Sequence, residues 1–232
     1  YGNVATGFSG TVSLVSTSCT MKFDTSPTGL FNGTVISITL SGGTGSFYFK
    51  DTTAGSHTIT ASATGLTSAT QVETVTAGSA VKLAITSTAQ TVTAGSVSSV
   101  VTVQAQDTYG NLASSSAVVS IVSTSGTMRF DTSATGLFNG TITSITLSSG
   151  AGSFYFKDTK SGSQTITVST TGLTSASQGE TLVAATAAAL YITSAAQTIV
   201  AGTVSSAVTV EARDTYGNIA TGFNGLVNIT YT

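Results

Sequence analysis

Along "VVTVQAQ" apolar and polar positions alternate. Val101, Val103 and Ala105 fall on one side, and Thr102, Gln104 and Gln106 on the other. A period of two is that of a strand with one face in a core. The pattern returns at Val208, Val210 and Ala212, where the opposite face carries Glu211 and Arg213. Charge accepted on one face alone marks a half-buried strand. "SITL" (Ile38, Leu40; Ile145, Leu147), "SFYF" (Phe47, Phe49; Phe154, Phe156) and the segments around Ile59 and Ile166 read the same way. Val and Thr are abundant throughout, and their branched β-carbons pack well on a pleated surface. No stretch of ten or more residues keeps a 3.6-residue period. "AATAAAL" near Ala184 is short and runs into a strand pattern.

The pattern is itself copied. "TGLFNGT" occurs at Thr28 and Thr135, and "GSFYFKDT" at Gly45 and Gly152, each pair 107 residues apart. "DTYGN" occurs at Asp107 and Asp214, and the chain opens on "YGN". Val12–Glu73 and Val119–Glu180 share 47 of 62 positions. A period of this length is the signature of repeated structural units. About seven short strands per ~100 residues, separated by Gly-containing turns, predict an all-β fold of tandem immunoglobulin-like β-sandwich domains with a 107-residue repeat. The expected division is a partial repeat over 1–76 lacking its first two strands, a complete repeat over 77–184, and the N-terminal strands of the next over 185–232. Val101, Val103, Ile121, Ile145, Leu147, Phe154, Phe156 and Ile166 are the expected core of the complete repeat. "GLVNITYT" from Gly225 duplicates "GTVSLVST" from Gly10 and is expected to be a further strand.

Composition narrows the class. Only 7% of residues are charged, the net charge is −2, and 40% are hydrophobic. That hydrophobic content argues against a disordered Ser/Thr-rich stalk. The seven Lys and Arg are scattered, which gives no footprint for nucleic acid. No run approaches the ~18 apolar residues of a membrane span. Tyr1 is not an initiator Met, so the chain is expected to be processed or excerpted. The open edges at its two ends are expected to reflect cuts in a longer polypeptide, since donated strands would leave the surplus strand at Gly225 without a place in a closed sandwich; copies that complete each other by donated strands are the alternative.

"DTYGN" has two readings. Asp at the first position with Gly at the fourth suits a type I turn, with Gly at positive φ and Asp bonded back to the backbone. The alternative is a calcium loop using Asp107 or Asp214 with Asn111 or Asn218. Calcium takes six to eight oxygens, usually from several carboxylates, and one carboxylate is offered here. The turn is the expected reading, and no cofactor or metal is expected.

"VTVEARDTYGNIATGFNGLVNIT" and "GSFYFKDTTAGSHTITASATG" resemble the tandem bacterial immunoglobulin-like (Big/invasin-like) domains of large surface proteins. There a "D-x-x-G-N" turn joins two core strands and a "T-A-G-x-x-T-I-T-A" segment forms a late strand. The resemblance covers each full repeat. It implies a rod-like spacer, adhesin stalk or cell-surface filament, located outside the cell. Neighbouring copies of the repeat are then the expected partners, in the same chain or as head-to-tail subunits. Two other chemistries are weighed for surface domains of this type. A Lys–Asn crosslink has Lys82, Lys50 and Lys157 as candidates, but Lys82 aligns with Ala189 and "FKDT" reads as a solvated strand end. N-glycosylation has acceptor motifs at Asn32, Asn139 and Asn228, although Asn-Gly is also the favoured hairpin-turn pair.

An enzyme is not expected. The sole His, His57, aligns with Gln164, and the sole Cys, Cys19, aligns with Gly126, so neither belongs to machinery shared by the repeats. The carboxylates Asp24/Asp131, Asp51/Asp158 and Glu73/Glu180 recur, yet no pattern pairs two of them for acid–base work. The joins "ETVTAGSAVKLAI" and "ETLVAATAAALYI" are short and apolar with no flexible tether, which predicts an extended array with limited hinging. A multivalent glycan-binding module, using Tyr48 and Tyr155 opposite the core phenylalanines, is the alternative from another class.

Overall fold

The computed structural model describes residues 2–230. Tyr1 of the opening "YGN", and Tyr231 and Thr232 at the end of "GLVNITYT", lie outside the described residues. Among the described residues there are seventeen strands and no helix. The chain divides into two compact units, Tyr1–Ala80 with Gln106–Ala113, and Val81–Ala105 with Ser114–Thr232.

The first unit holds β1 (Gly10–Ser16), β2 (Lys22–Asp24), β3 (Ser37–Leu40), β4 (Tyr48–Lys50), β5 (Gly55–Ser62) and β6 (Ala69–Val75). One sheet has the order β3-β1-β5-β6 and the second pairs β2 with β4, all antiparallel. Alternating residues of β1 with Met21, Phe23, Ile38 and Ile59 form its core. Phe23 meets Phe47 edge to face, with ring centroids 5.5 Å apart, the geometry the aromatic quadrupole prefers.

In the second unit the strands are β7 (Lys82–Ile85), β8 (Thr91–Thr93), β9 (Val101–Gln106), β10 (Val118–Ser123), β11 (Arg129–Asp131), β12 (Ser144–Thr146), β13 (Ala151–Lys157), β14 (Gly162–Thr170), β15 (Leu173–Val183), β16 (Ala189–Ile192) and β17 (Val210–Arg213). The sheet path is β11-β13-β9-β7-β15-β14-β10-β12, with β8 laid parallel on β15. It folds into a β-sandwich whose inward rows come from β9 and β13 on one side and β10 and β14 on the other. All eight expected core residues are buried here. Phe154 stacks edge to face with Phe130 at 5.5 Å, as Phe47 does with Phe23.

Three expectations change. Phe49, equivalent to Phe156, is not buried: Phe156 is sealed because β13 pairs with both β11 and β9, whereas among the described residues β4 pairs with β2 alone. Residues 225–230 form no strand. Their counterpart β1 is held by β3 and β5, and among the described residues no strand pairs with 225–230. The Asn-Gly pairs are not two-residue hairpin turns either. Gly33 and Gly140 take positive φ, but Asn32 and Asn139 do not, and a type I′ turn needs it at both positions. Instead each Asn side chain accepts the N–H and hydroxyl of the Thr two residues on.

Candidate functional site

The repeated "DTYGN" is a turn, closed by the Gly110 N–H to the Asp107 carbonyl at 3.1 Å, and by Gly217 to Asp214 at the same distance. Gly110 and Gly217 stand at φ +91° and +87°, a region an L side chain enters only at a cost.

Its aspartate organises the loop. Asp107 Oδ1 accepts the N–H groups of Tyr109 and Asn111, and Oδ2 accepts Gly78 N–H and the Asn111 side-chain amide, all at 2.9 Å. The Asn111 amide first, then the backbone N–H groups of Gly78, Asn111 and Tyr109, outweigh burial and hold the Asp107 carboxyl at about 2. Asp214 repeats the set with Tyr216, Asn218 and Ala185. Burial alone would raise its pKa, but the Asn218 amide and the backbone donors lower it. A cation at either place would have to displace four N–H donors, so this polarity is opposite to that of a calcium site. Among the described residues no group of three His, Cys, Asp or Glu side chains is arranged to hold a metal.

The asparagine reaches much further. Asn111 accepts the Ala54 N–H and donates to the Thr52 carbonyl, both at 2.9 Å, although these residues lie nearly sixty positions earlier. Asn218 does the same to Ser161 and Thr159 at 2.8 Å. The amide thus presents a donor and an acceptor to one loop, as a neighbouring strand would. With its second N–H on the aspartate, both its hydrogens are used. The loop comes from the next sequence repeat, yet it braces the turn that follows β4 in the first unit and β13 in the second.

The receiving turn is built on the other recurring aspartate. Asp51 accepts the Thr53 N–H at 3.1 Å and the Thr20 hydroxyl. Asp158 accepts the Lys160 N–H at 3.1 Å and the Thr127 hydroxyl at 2.5 Å. The Lys of "FKDT" is exposed at Lys50 and half-buried at Lys157, but its Asp is not a solvated charge in the second unit: Asp158 is fully buried, with Oδ1 tying two loops together and Oδ2 without a hydrogen-bond partner. Burial would raise Asp51, but the hydroxyls of Thr20 and Ser18 and the N–H groups of Thr53 and Thr52 lower it.

Tyr216 adds a packing contact. Its hydroxyl lies so close to Gly95, itself at φ +83°, that a Cβ there would come within 2.0 Å. Glu180 is buried on β15 and accepts the Gln90 N–H at 2.5 Å through one oxygen only. Burial raises its pKa against that single hydrogen bond.

The remaining candidates scatter. His57 Nε2 sits 3.0 Å from the Thr53 carbonyl oxygen and 3.7 Å from Asp51. Its counterpart Gln164 accepts the Thr124 hydroxyl. Cys19 is exposed and unbridged. Lys50 faces Lys22 across β2–β4, and Lys157 faces Arg129 across β11–β13. Like charges opposite each other suit solvent rather than a buried crosslink. Lys82 is half-buried at the start of β7, and Asn32, Asn139 and Asn228 are exposed. Tyr48 is exposed on β4 while Tyr155 is half-buried on β13, so the two copies offer unequal aromatic surfaces.

Sequence reasoning identified the turn and missed the brace. The available signal was joint recurrence: each "KDT" precedes its "DTYGN" by the same spacing, Asp51 to Asp107 and Asp158 to Asp214.

No protein-family model and no curated protein sequence matches the chain. Solved structures with a similar fold include a beta-glycosidase from Bacteroides vulgatus (TM-score 0.39, 17% identity, 76% of this chain and 23% of that one). They also include domains 4 and 5 of the S-layer protein SbsC (0.34, 17%, 78% and 74%) and a glycosyl hydrolase family 2 member from Bacteroides cellulosilyticus (0.41, 15%, 74% and 21%). The chain thus spans under a quarter of the length of either glycosidase. At these scores the likenesses bear on neither activity nor partners.

Proposed function

We propose that the chain is part of an extracellular structural protein, a rod, stalk or filament made of immunoglobulin-like repeats of the kind found in bacterial surface proteins. Its work is mechanical, setting length and stiffness, and it has no catalytic role. The observation that carries this reading is the brace. A five-residue loop occurs twice, and both times its Asn makes the same three hydrogen bonds, two to the turn of the preceding repeat and one to the Asp of its own loop. Binding loops vary to suit ligands, whereas a loop whose polar atoms are satisfied within the fold has its chemistry directed inward. Both oxygens of Asp107 and Asp214 are likewise occupied by donors of the fold, while Asp51 and Asp158 accept through Oδ1 and keep Oδ2 buried without a hydrogen-bond partner.

Antibodies against the 232-residue chain should label unpermeabilised source cells or the filaments they shed. Labelling only after permeabilisation would refute the placement. A glycan array gives the other discrimination: selective sugar binding lost with Tyr48→Ala and Tyr155→Ala would replace the spacer reading with the binding-module reading.

A further inference from the structure

The seven Lys and Arg are scattered along the sequence, yet the fold gathers four of them into two like-charged pairs. Arg129 on β11 stands opposite Lys157 on β13, and Lys22 on β2 stands opposite Lys50 on β4. The strand neighbours Phe130 and Phe156 are buried, so Arg129 and Lys157 face outward. Like charges directly across a strand pair repel and destabilise it. Both repeats keep the arrangement, even where Lys22 becomes Arg129. Among the described residues no carboxylate ion-pairs with these four cations, since the ion pairs are those of His57 with Asp51 and Arg213 with Glu211. Asp131, two positions along β11, is occupied by its own loop: its oxygens accept the N–H groups of Ser133 and Phe138. Asp24 does the same with Ser26 and Phe31.

The cation is also held in place. Arg129 Nη1 donates to the carbonyls of Gly126 and Met128 at 2.9 and 2.8 Å. That leaves Nε and Nη2, the edge that grips an oxyanion with two parallel bonds, without a partner among the described residues. The Arg129 stem lies over Gly140, where a Cβ would come within 3.0 Å of Cδ, and Lys22 lies over Gly33 with the same contact at 3.1 Å. Beside Arg129 runs a groove of about 310 Å³ lined by Met128, Phe130, Asn139 and Ile142. The first unit repeats it beside Lys22 at about 180 Å³, with Met21, Phe23 and Val35. Thr141 takes the Asn139 carboxamide oxygen, so the amide N–H groups are what Asn139 offers there. An apolar floor with a few placed polar groups is the usual anatomy of a small-ligand site.

We propose that each cation pair and its groove bind one acidic sugar residue, so that the repeats attach to an anionic polysaccharide. The sugar carboxylate takes the free Arg129 edge and the Lys157 ammonium, and the ring lies over the groove floor with a hydroxyl accepting from the Asn139 amide. Charge selects a sparse polyanion. The chain is itself at −2, and a DNA duplex brings a phosphate every ~1.7 Å, which one cation pair per 107-residue repeat does not match. A uronic acid polymer brings one carboxylate per ring together with an apolar ring face. The inference goes beyond the structural reading and does not depend on it: a spacer carrying these sites would be fastened along its length.

The test places the purified 232-residue chain on immobilised polygalacturonate and reads binding by biolayer interferometry. Binding is expected at low salt and should weaken by about ten-fold or more at physiological salt. The methyl-esterified polymer, which keeps the rings and loses the charge, should bind about ten-fold more weakly or worse. Arg129→Gln with Lys157→Gln should weaken binding, and adding Lys22→Gln and Lys50→Gln should abolish it, with β-rich circular dichroism kept. Lys82→Gln with Arg213→Gln removes as much charge as the first variant from outside the pairs, and should bind like the unaltered chain. In an amide NMR titration of the unaltered chain with trigalacturonate, β11, β13 and residues 139–142 should shift while β14 stays still. That titration decides the matter if the fourfold variant fails to fold. No binding at low salt overturns the proposal, as does equal binding to the methyl ester or by a folded fourfold variant. A DNA duplex bound more tightly than polygalacturonate overturns the choice of occupant. Binding lost with Tyr48→Ala and Tyr155→Ala but kept by the fourfold variant also overturns it, in favour of the binding-module reading. Failure to bind leaves the spacer reading to the surface-labelling test.

Discussion

Asn218→Ala isolates the brace from the core. The substitution removes the acceptor of the Ser161 N–H and the donors to the Thr159 carbonyl and Asp214 Oδ2. It leaves the turn bonds from Tyr216 and backbone Asn218 to Asp214 in place. Each lost hydrogen bond is worth about 0.5–1.5 kcal/mol net. Thr159 and Ser161 are only half-buried, so water can replace part of the loss. A total of roughly 2–3 kcal/mol follows, in the lower half of the sum because the three bonds share one side chain. At 1.4 kcal/mol per decade, the Ser161 amide should exchange its hydrogen about 30- to 150-fold faster. Core amides of β14, such as Ile166, should exchange as before. Native-state hydrogen exchange read by NMR measures both in one experiment. Asn218→Asp sharpens it: the acceptor for Ser161 survives, but a second carboxylate then faces Asp214. Loss at neutral pH should equal or exceed that of Ala and should shrink once the new carboxylate protonates, below about pH 4. Unchanged exchange at Ser161 in Asn218→Ala, with the native fold intact, would refute the brace.

Phe154→Ala should destabilise the second unit by roughly 3–5 kcal/mol in chemical denaturation, because a sealed ring leaves a cavity. Phe47→Ala, at the half-buried equivalent, should show about half of that, and equal losses would contradict the single pairing described for β4. Gly95→Ala must take positive φ and meet the Tyr216 hydroxyl, so a loss of about 1 kcal/mol or more is expected. A neutral result would remove Tyr216 from the brace. Asp107 at about 2, and Asp214, Asp51 and Asp24 held low, stabilise the fold above the ordinary aspartate pKa of ~3.9 and lose that contribution as pH falls. The melting temperature should therefore drop between about pH 4 and pH 2. Glu180 acts in the opposite sense: its raised pKa favours folding below the ordinary glutamate range and is lost as pH rises through its folded value. Glu180→Gln should raise the melting temperature at pH 7 and leave it nearly unchanged at pH 4. EDTA should not move it at all.

Alternation made the sandwich legible. Val101, Val103, Phe154, Phe156 and Ile166 announce their inward row by a period of two, and burial follows because both faces of the core are written that way. The internal copy told which segments are equivalent. It could not tell that equivalents have different surroundings: Glu73 and Glu180 align, but only Glu180 is sealed, because β7 and β8 cover β15 while β6 has no such cover among the described residues. The turn at Asp107 was legible because its chemistry is local, with donors two and four residues away. The reach of Asn111 to Thr52 and Ala54 was not, since no local pattern encodes a contact across nearly sixty residues. "FKDT" misled for the same reason. Its Asp reads as a strand-end charge until the Thr hydroxyl from another loop is placed beside it.

The use of charge explains how so apolar a chain keeps its loops defined. It has nine acidic residues in 232, six of them aspartates. Every aspartate accepts the backbone N–H of the residue two positions on: Ser26, Thr53, Tyr109, Ser133, Lys160 and Tyr216. A carboxylate in this position mimics a turn of backbone and fixes a loop that has no apolar face to pack. Four of the six, Asp51, Asp107, Asp158 and Asp214, build the two partners of the brace. The strands obtain their cohesion from burial, which is strong but indifferent to direction. Hydrogen bonds that demand one geometry then select a single arrangement where burial alone would allow several. That division puts the scarce polar groups at the ends of the sandwich, where one repeat's loop meets the turn of the repeat before it. It leaves much of the outer faces of the strands to Ser and Thr, whose hydroxyls also pair across neighbouring strands, as Thr86 does with Thr102 and Thr167 with Ser177.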